Sequence, residues 1–278
     1  MADPAFADVG EGGAVSYRAA GNGPAILFIH GGATDSRLWD GQLSELVGDY
    51  RVITYDMRGF GGSPRPTRPY RMSDDAVAVM DRLGVTSAAV VGFSIGAQIA
   101  LELAVRVPDR VAALVLMGVG PWSDPVPEEF EPAHRELREQ LVSRAEARRR
   151  GDLGAAVALD LDVWASTHHG AARDALTQLC MQAPYFNEYR EGQSDWLEQL
   201  PTLSDDDLAA ITAPSLIVVG DSDVRIARLA SARLAEILPQ AEYHTFRDAD
   251  HYVSTSQPAM LNQVLRGFLD RHRADGAW

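Results

Sequence analysis

The sequence Gly-Phe-Ser-Ile-Gly at positions 92–96 constrains the fold more than any other stretch of this chain. An apolar run at residues 88–91 precedes it, and a run with helical patterning at residues 97–104 follows it. A Gly-x-Ser-x-Gly turn between a strand and a helix holds its serine in a strained conformation with the hydroxyl exposed. The new helix directs free N–H groups toward developing negative charge. The pattern therefore predicts Ser94 as a nucleophile, although such pentapeptides also occur in turns without chemical importance.

The composition excludes several classes of function. The formal net charge of −14 disfavours nucleic acid and anionic membranes as partners, because both require a basic face. The chain has no lysine, which excludes Schiff-base chemistry, a lysine-held pyridoxal cofactor and a phosphate-loop lysine. Cys180 is the only cysteine, so no intrachain disulfide can form.

Targeting and membrane signals are not apparent. The N-terminus lacks the charged and apolar regions of a signal peptide, and no apolar stretch approaches membrane-spanning length. We therefore expect a cytoplasmic protein that acts on a small-molecule substrate without a membrane or nucleic-acid partner. The sequence leaves the oligomeric state open, with a homodimer as one option.

Short apolar runs alternate with amphipathic helical segments along most of the chain, which predicts a mostly parallel sheet flanked by helices. The predicted buried strands are residues 25–29, 51–55, 88–91, 111–117 and 215–219. A more polar strand near the edge is expected at residues 241–246. The predicted helices are residues 36–47, one capped by residues 73–75 that runs through Leu83, and residues 97–107, 227–237 and 258–272.

The alternation is interrupted between residues 121 and 203. This stretch is rich in helix formers, with helices expected at residues 131–150, 153–165 and 171–180. An insertion at the strand ends of a parallel sheet lies over the crevice where such sheets bind ligands. We therefore divide the chain into a core domain, residues 1–120 and 204–278, and a helical lid, residues 121–203. The acidic residues after Ser204 fit the start of a helix better than a metal site.

His251 is the candidate base for Ser94. A serine hydroxyl needs a base oriented by a carboxylate, and with this type of turn the order along the chain is serine, acid, histidine. His251 lies in the loop between the last predicted strand and the last helix, where it can reach the carboxyl edge of the sheet. The other histidines after Ser94 lie in the insertion, in a strand or in the terminal tail.

Asp223 is the candidate acid, because it follows the strand at residues 215–219 by a short turn. Asp221 is expected to stabilise that turn, and it remains an alternative acid together with Asp124. The two oxyanion donors are expected to be the amides of Ile95 and Gly32, with Ala33 as the alternative to Gly32.

These motifs together resemble the α/β-hydrolase superfamily over nearly the whole chain. The matching segments are His30-Gly31-Gly32 with Trp39 downstream, residues 56–61, residues 92–96, the strand from Ala213-Pro214 to Gly220-x-x-Asp223, and Asp250-His251. His30 is expected to be a structural hydrogen-bonding residue. Asp250 replaces the glycine that usually precedes the family's histidine, and we expect its carboxylate to face solvent, with tuning of the imidazole as the alternative.

Within the family, the chain resembles small cofactor-independent esterases, enol-lactonases and bacterial non-haem perhydrolases. The resemblance implies acyl transfer in which Ser94 attacks a carbonyl and His251 takes its proton, without a cofactor. Dehalogenases and epoxide hydrolases use a carboxylate at the position of Ser94. The meta-cleavage C–C hydrolases usually have tryptophan where Tyr252 stands, which makes this class less favoured but leaves it open.

The insertion is rich in aromatic side chains, which predicts a mostly apolar pocket for an uncharged or weakly polar substrate. The alternative is that most of these side chains pack the insertion onto the core. The candidates for substrate contact are Trp122, Trp164, His168 and Tyr252. The other ring-bearing residues considered are Phe130, His169, Tyr185, Phe186, Tyr189 and Trp196. The adjacent histidines lack ligand spacing, so no metal is expected.

The predicted function is hydrolysis of a small, largely apolar carboxylic ester or lactone through an acyl-enzyme. Two other classes remain open. One is a cofactor-free lyase, cyclase, C–C hydrolase or oxygenase that uses the histidine–acid pair as a general base. The other is a binding protein without hydrolytic activity on the same fold.

Overall fold

The computed structural model describes residues 3–10, 13–123, 125–183 and 202–274. Within these residues, eight strands form one sheet in the order β1-β2-β4-β3-β5-β6-β7-β8. The strands are β1 (Ala5–Asp8), β2 (Ala14–Ala20), β3 (Ala25–Ile29), β4 (Arg51–Tyr55), β5 (Ala88–Phe93), β6 (Val111–Met117), β7 (Ser215–Gly220) and β8 (Ala241–Phe246). Strand β2 is antiparallel to both of its neighbours, and all other pairs are parallel.

The parallel part of the sheet agrees with the sequence prediction, and its fully buried strands lie away from the edges. Strands β3, β5, β6 and β7 are buried along their whole length. Such continuous apolar runs are expected where helices cover both faces of a sheet. The more polar strand β8 lies at the edge, as predicted.

Strands β1 and β2 were not predicted. Strand β1 has only four residues, and three of them are exposed. Strand β2 mixes polar and apolar residues and forms no continuous apolar run. Because the two pair with each other and then with β4, they extend the sheet beyond the part that apolar patterning reveals.

Helices cover both faces of the sheet. The helices of the core are α1 (Asp40–Leu46), which follows a 3₁₀ turn at Ser36–Trp39, then α2 (Met72–Arg82), α3 (Ile95–Arg106), α8 (Asp205–Ala209), α9 (Arg225–Ile237), α10 (Val253–Ser256) and α11 (Pro258–Ala274). The apolar cluster on one face contains side chains of α2, α3 and α9, and that on the other contains side chains of α1 and α11. Alternate residues of strands β3, β5 and β6 contribute to the two clusters, as a pleated strand requires.

The described residues of the predicted insertion between β6 and β7 form four further helices. They are α4 (Glu131–Gln140), α5 (Val142–Arg149), α6 (Leu153–Trp164) and α7 (Gly170–Met181). The single helix expected at residues 131–150 is wrong, because the chain is interrupted at Leu141 between α4 and α5. Buried side chains of α6 and α7 join the same apolar cluster as α1 and α11. Helices α6 and α7 are therefore packed onto the core by apolar contacts.

The two predicted helix starts have different outcomes. Ser204 accepts a hydrogen bond from the Asp207 amide in a complete capping box, as the sequence indicates. Ser73 does not cap α2, which begins one residue earlier at Met72, and Ser73 instead accepts a hydrogen bond from Arg106. None of the helices in the described ranges is long and apolar enough to cross a membrane.

Candidate active site

Ser94 occupies the turn that joins strand β5 to helix α3. Its backbone has φ 55° and ψ −117°, a region that residues other than glycine rarely adopt. The side chain is partly exposed while both neighbouring elements are buried. The strained turn that the sequence predicts is therefore present, and it presents the hydroxyl at the carboxyl edge of the sheet.

The two glycines of this turn are required by close backbone contacts. A Cβ atom on Gly92 would lie 2.2 Å from the Gly96 carbonyl oxygen. A Cβ atom on Gly96 would lie 2.3 Å from the carbonyl oxygen of Ile29, at the end of strand β3. Real Cβ atoms do not come this close to backbone atoms, so only glycine allows α3 to start against the sheet at this point.

The imidazole of His251 is held by Asp223. The Nδ1 atom of His251 lies 2.9 Å from Oδ2 and 3.0 Å from Oδ1 of Asp223, and all of these groups are buried. The amide of Val224 also donates to Asp223 Oδ1, at 2.7 Å. Because the carboxylate accepts the proton on Nδ1, the opposite nitrogen Nε2 is the one that can take a proton from a hydroxyl.

Of the other two candidates for the acid, only Asp221 lies within the described residues. Asp221 is exposed, and its carboxylate accepts a hydrogen bond from the adjacent Ser222 hydroxyl at 3.2 Å. This agrees with the expected role in the turn. Asp124 lies outside the described residues.

Two sets of contacts place the His251 ring close to the turn that carries Ser94. The ring of Phe93, which precedes Ser94, lies 4.7 Å from the His251 ring between centroids. The amide of Ser94 donates to the Met117 carbonyl oxygen at 2.8 Å, and the next residue, Gly118, lies directly against the imidazole. The ends of β5, β6 and β7 and the histidine loop (residues 247–252) therefore converge on one point at the edge of the sheet.

The glycines that follow strand β3 lie close to Ser94 and Ile95. A Cβ atom on Gly31 would lie 3.3 Å from Ser94 Cβ, and one on Gly32 would lie 3.1 Å from Ile95 Cδ1. Ile95 is the first residue of α3, so its N–H has no acceptor within the helix. No described residue accepts a backbone hydrogen bond from the amide of Gly32 or Ile95. Gly32 and Ile95 thus lie close to each other, and their role as oxyanion donors stays a prediction.

Ala33, the alternative donor, follows Gly32 and has φ 65°. This left-handed conformation turns the chain sharply after the β3 strand end. The assignment of the second oxyanion donor to Gly32 stays a prediction.

His30 connects the ends of strands β3 and β4. Its Nε2 atom accepts a hydrogen bond from the Met57 amide at 3.0 Å, and its Nδ1 atom donates to the Gly31 carbonyl oxygen at 2.7 Å. Burial lowers the pKa of His30, since the charged ring would lose its hydration. His30 is therefore a neutral structural residue, as the sequence analysis expects, and it shapes the loop that carries Gly32.

The expectation that Asp250 faces solvent is wrong. Its side chain is 1% exposed, and its Oδ2 atom accepts hydrogen bonds from the Thr167 amide at 2.9 Å, the Thr167 hydroxyl at 2.7 Å and His168 Nδ1 at 2.8 Å. Burial by itself would raise the pKa of Asp250, but hydrogen bonds from His168 and Thr167 outweigh it and lower the pKa. The carboxylate therefore joins the histidine loop to the insertion.

The same contacts give His168 a different role from the expected one. Its Nδ1 atom is bonded to Asp250, and its Nε2 atom lies 2.9 Å from the Thr255 hydroxyl. Both ring nitrogens are used within the protein, which leaves neither for a substrate. The neighbouring His169 is exposed, so the two adjacent histidines point into different environments.

Of the predicted substrate contacts, Trp164 lies closest to the base. Its partly buried ring is 4.5 Å from the His251 ring, and its carbonyl oxygen accepts a hydrogen bond from the His251 amide. Tyr252 is buried, with its ring 5.2 Å from Phe93 and its hydroxyl bonded to Cys180 of α7. Trp122 is 2% exposed and packs edge-on against Phe130. Contact of these three residues with substrate stays a prediction.

Two residues that contact the imidazole or its loop were not predicted from the sequence. Gly118 and Thr167 contact the imidazole and its loop, and the only sequence signal for Gly118 was a glycine directly after a buried strand. The aromatic residues that lie outside the described ranges are Tyr185, Phe186, Tyr189 and Trp196.

Comparison with known proteins agrees with this geometry. A family model described as alpha/beta hydrolase fold matches residues 24–256. A 2-hydroxymuconate semialdehyde hydrolase from Pseudomonas sp. (strain CF600) is 30% identical over 271 residues, which cover 90% of this chain and 88% of that protein.

Solved structures give the same fold. A thermophilic esterase from Thermogutta terrifontis is 26% identical, with a TM-score of 0.79 and coverage of 98% of this chain and 99% of that chain. Est816, described as an N-acyl homoserine lactone degrading enzyme, is 26% identical with a TM-score of 0.74, and the match covers 95% of this chain and 100% of that chain. The relatives are hydrolases that differ in the bonds they cleave. The chain belongs to the α/β-hydrolase family.

Proposed function

We propose that this protein is a serine hydrolase that cleaves a small, largely apolar carboxylic ester or lactone through an acyl-enzyme on Ser94. The observation that carries the proposal is the imidazole of His251, which is held by Asp223 and whose ring lies 4.7 Å from the ring of Phe93, the residue before the serine of a strained turn. A serine activated by an oriented imidazole is the arrangement that acyl transfer requires. Metal or cofactor groups are not needed for any step.

The chemical steps follow from the positions of these groups. Nε2 of His251 takes the proton as the Ser94 oxygen bonds to the substrate carbonyl carbon, and the carbonyl electrons move to the oxygen. The amides of Gly32 and Ile95 donate to that oxyanion. The intermediate collapses, the bond to the leaving alcohol breaks, and His251 gives its proton to that alcohol. Water then repeats the sequence and releases the acid.

The surroundings of the imidazole support an apolar substrate. The rings of Phe93 and Trp164 lie on the His251 ring, and the side chain of Ile95 lies beside Gly32. Apolar walls with a few convergent donors favour ligands that bury hydrocarbon and present one carbonyl. We also propose that the insertion, residues 121–203, serves as the lid, since Trp164 belongs to it.

The relatives support the proposal at the level of reaction class. The esterase from Thermogutta terrifontis and the lactone-degrading Est816 are both similar to this chain over nearly their whole length. An ester and a lactone differ only in whether the leaving alcohol remains attached to the acyl group. The same residues can therefore act on either.

The test combines active-site labelling with turnover. The wild-type protein is treated with a fluorophosphonate, and the modified peptide is identified by mass spectrometry. p-Nitrophenyl esters and lactones of graded acyl length are then assayed. We expect one phosphonate on Ser94 and hydrolysis that Ser94→Ala abolishes. Ser44→Ala, an exposed serine of α1, is the matched control and should retain activity. Turnover by Ser94→Ala, or a serine that resists labelling, would contradict the proposal.

A second candidate is hydrolysis of a carbon–carbon bond. The similarity to a 2-hydroxymuconate semialdehyde hydrolase at 30% identity favours it. The same serine, histidine and aspartate would be used, so the site geometry does not separate the two. Assay of 2-hydroxymuconate semialdehyde beside the ester series decides: preference for that compound by kcat/KM would replace ester hydrolysis with carbon–carbon cleavage.

A further inference from the structure

We propose that a buried clamp between the insertion and the histidine loop positions the His251 imidazole for catalysis. The clamp consists of Thr167 and His168 of the insertion, and Asp250 and Thr255 next to the base. The inference rests on the proposed function of His251 as the base. It gives the insertion a task in the chemistry besides covering the site.

The clamp is built around the Asp250 carboxylate. Oδ2 accepts three hydrogen bonds from the insertion, two from Thr167 and one from His168, at 2.7–2.9 Å. Oδ1 accepts from the Tyr252 amide at 3.0 Å. A buried carboxylate is stable only when its partners are in place, and loss of one leaves an uncompensated charge. The three bonds from Thr167 and His168 therefore fix the insertion relative to the loop, and the fourth holds the carboxylate within the loop.

His168 adds a second attachment point. While Nδ1 of His168 is bonded to Asp250, its Nε2 atom lies within hydrogen-bond distance of the hydroxyl of Thr255, in the short helix α10. The Thr255 hydroxyl in turn donates to the Tyr252 carbonyl oxygen at 3.1 Å. The His168 side chain is fully buried, so the ring cannot swing out without breaking both contacts. It therefore spans the loop from the residue before the base to the helix after it.

These contacts enclose His251 on both sides along the chain. Asp250 precedes it, Tyr252 follows it, and its own amide donates to the Trp164 carbonyl oxygen at 3.2 Å. On the other face, a Cβ atom on Gly220 would lie 2.1 Å from the Ala249 carbonyl oxygen, so strand β7 abuts the same loop. The histidine loop is therefore held between the sheet on one side and the insertion on the other. The clamp supplies the polar contacts on the side of the insertion.

Removal of the clamp should act on the rate of chemistry rather than on substrate binding. Neither Thr167 nor His168 has been placed in contact with Ser94, and both act through the loop. A displacement of about 1 Å in a catalytic group costs on the order of 100-fold in rate. Thr167 and His168 are therefore positioning residues.

The decisive comparison uses three variants. His168→Ala removes both bonds of the ring. His168→Asn restores a donor near the position of Nδ1. His169→Ala is the matched control, because this neighbouring histidine is exposed and makes no side-chain cap. The measurements are kcat and KM with a p-nitrophenyl ester, the rate of Ser94 phosphonylation, the thermal midpoint, and the low-field proton resonance of His251 Nδ1–H.

We expect His168→Ala to lower kcat and the phosphonylation rate about 10- to 100-fold, with KM changed less than about twofold. The Nδ1–H resonance should weaken or shift. His168→Asn should recover most of the rate, and His169→Ala should match the wild type. A folded His168→Ala protein with wild-type kcat and an unchanged resonance would overturn the clamp. A change confined to KM would do so as well, because it would make His168 a substrate contact.

A milder variant covers the case in which His168→Ala does not fold. Thr167→Val removes one hydroxyl bond to Asp250 and leaves the backbone bond in place, so kcat should fall by about three- to tenfold. Wild-type kcat in Thr167→Val would then overturn the proposal. If wild-type Ser94 does not react with the phosphonate, the proposed function fails. The clamp is still judged by the resonance of His251, which requires no substrate.

Discussion

A Cβ atom on Gly118 would lie 2.8 Å from both Nδ1 and Cε1 of His251 and 3.4 Å from Asp223 Oδ2. Gly118 follows strand β6, has φ 54°, and is buried beneath the imidazole. The histidine–aspartate pair therefore occupies space that is free only because the residue after strand β6 is a glycine, without a side chain.

Gly118→Ala should consequently displace the imidazole. We expect kcat to fall by about 100-fold, because the added methyl group occupies space now taken by the ring. Gly170→Ala is the control, since Gly170 has a similar φ of 53° but open space around it. It carries the same backbone cost, about 1–2 kcal/mol, without the contact. Equal kcat in the two variants would show that Gly118 does not shape the site.

Asp223→Asn should lower kcat by about 10³- to 10⁴-fold, because an amide that donates to Nδ1 stabilises the wrong tautomer of His251 and does not stabilise the imidazolium. The fold should survive, since the replacement has the same shape. Asp221→Asn changes an exposed carboxylate of the same turn and should leave kcat unchanged. Steady-state kinetics on both variants test the assignment. If Asp221→Asn lost activity and Asp223→Asn did not, Asp221 would be the acid.

Trp164→Ala should weaken binding of apolar substrates. It removes a ring that lies 4.5 Å from the His251 ring but keeps the carbonyl oxygen that accepts from the His251 amide. We expect KM for a medium-chain p-nitrophenyl ester to rise about tenfold, which corresponds to about 1.4 kcal/mol. Trp164→Phe retains an aromatic surface and should restore much of the loss. An unchanged KM in both variants would place the substrate elsewhere.

His30 should make the folded state sensitive to mild acid. Its pKa is lowered by burial, and its Nε2 atom must stay unprotonated to accept from the Met57 amide. As the pH falls below the unfolded value of about 6.5, the unfolded chain takes up a proton that the folded chain does not, so stability decreases.

His30→Gln removes this titration. In urea unfolding between about pH 7.5 and pH 5.5, the wild type should therefore lose more stability on acidification than the variant, although the variant starts from a lower value because it loses a bond. Parallel pH profiles for the two proteins would show that His30 does not contribute to the acid sensitivity.

The sequence was most informative where the responsible physics is local. The buried parallel strands could be read from short apolar runs, and strands β3, β4, β6 and β8 have the bounds expected. The turn at Ser94 could be read from its two glycines, since each is required by a close backbone contact. Local patterning failed for the break at Leu141 and for strands β1 and β2, whose short or mixed sequences carry little periodicity.

The pairing of Asp223 with His251 could be anticipated from two strand ends, because parallel strands bring their carboxyl ends to one edge. The direction in which a side chain points within a loop could not be anticipated from the sequence. Asp250 and Asp221 are both acidic residues next to a turn, yet one is fully buried and the other is exposed. The expectation that Asp250 faces solvent failed because the partners that compensate for its burial lie far away along the chain.

The sequence by itself determined the order of the parallel strands and of the core helices between them, the strained serine and the residues available to serve as its base and acid. Only the tertiary structure decided that Asp250 turns inward, since its partners Thr167 and His168 lie 82–83 residues away along the chain. Such a contact depends on how the insertion packs against the histidine loop. Hydrogen-bond partners at that separation are chosen by packing, and no local pattern of residues encodes them.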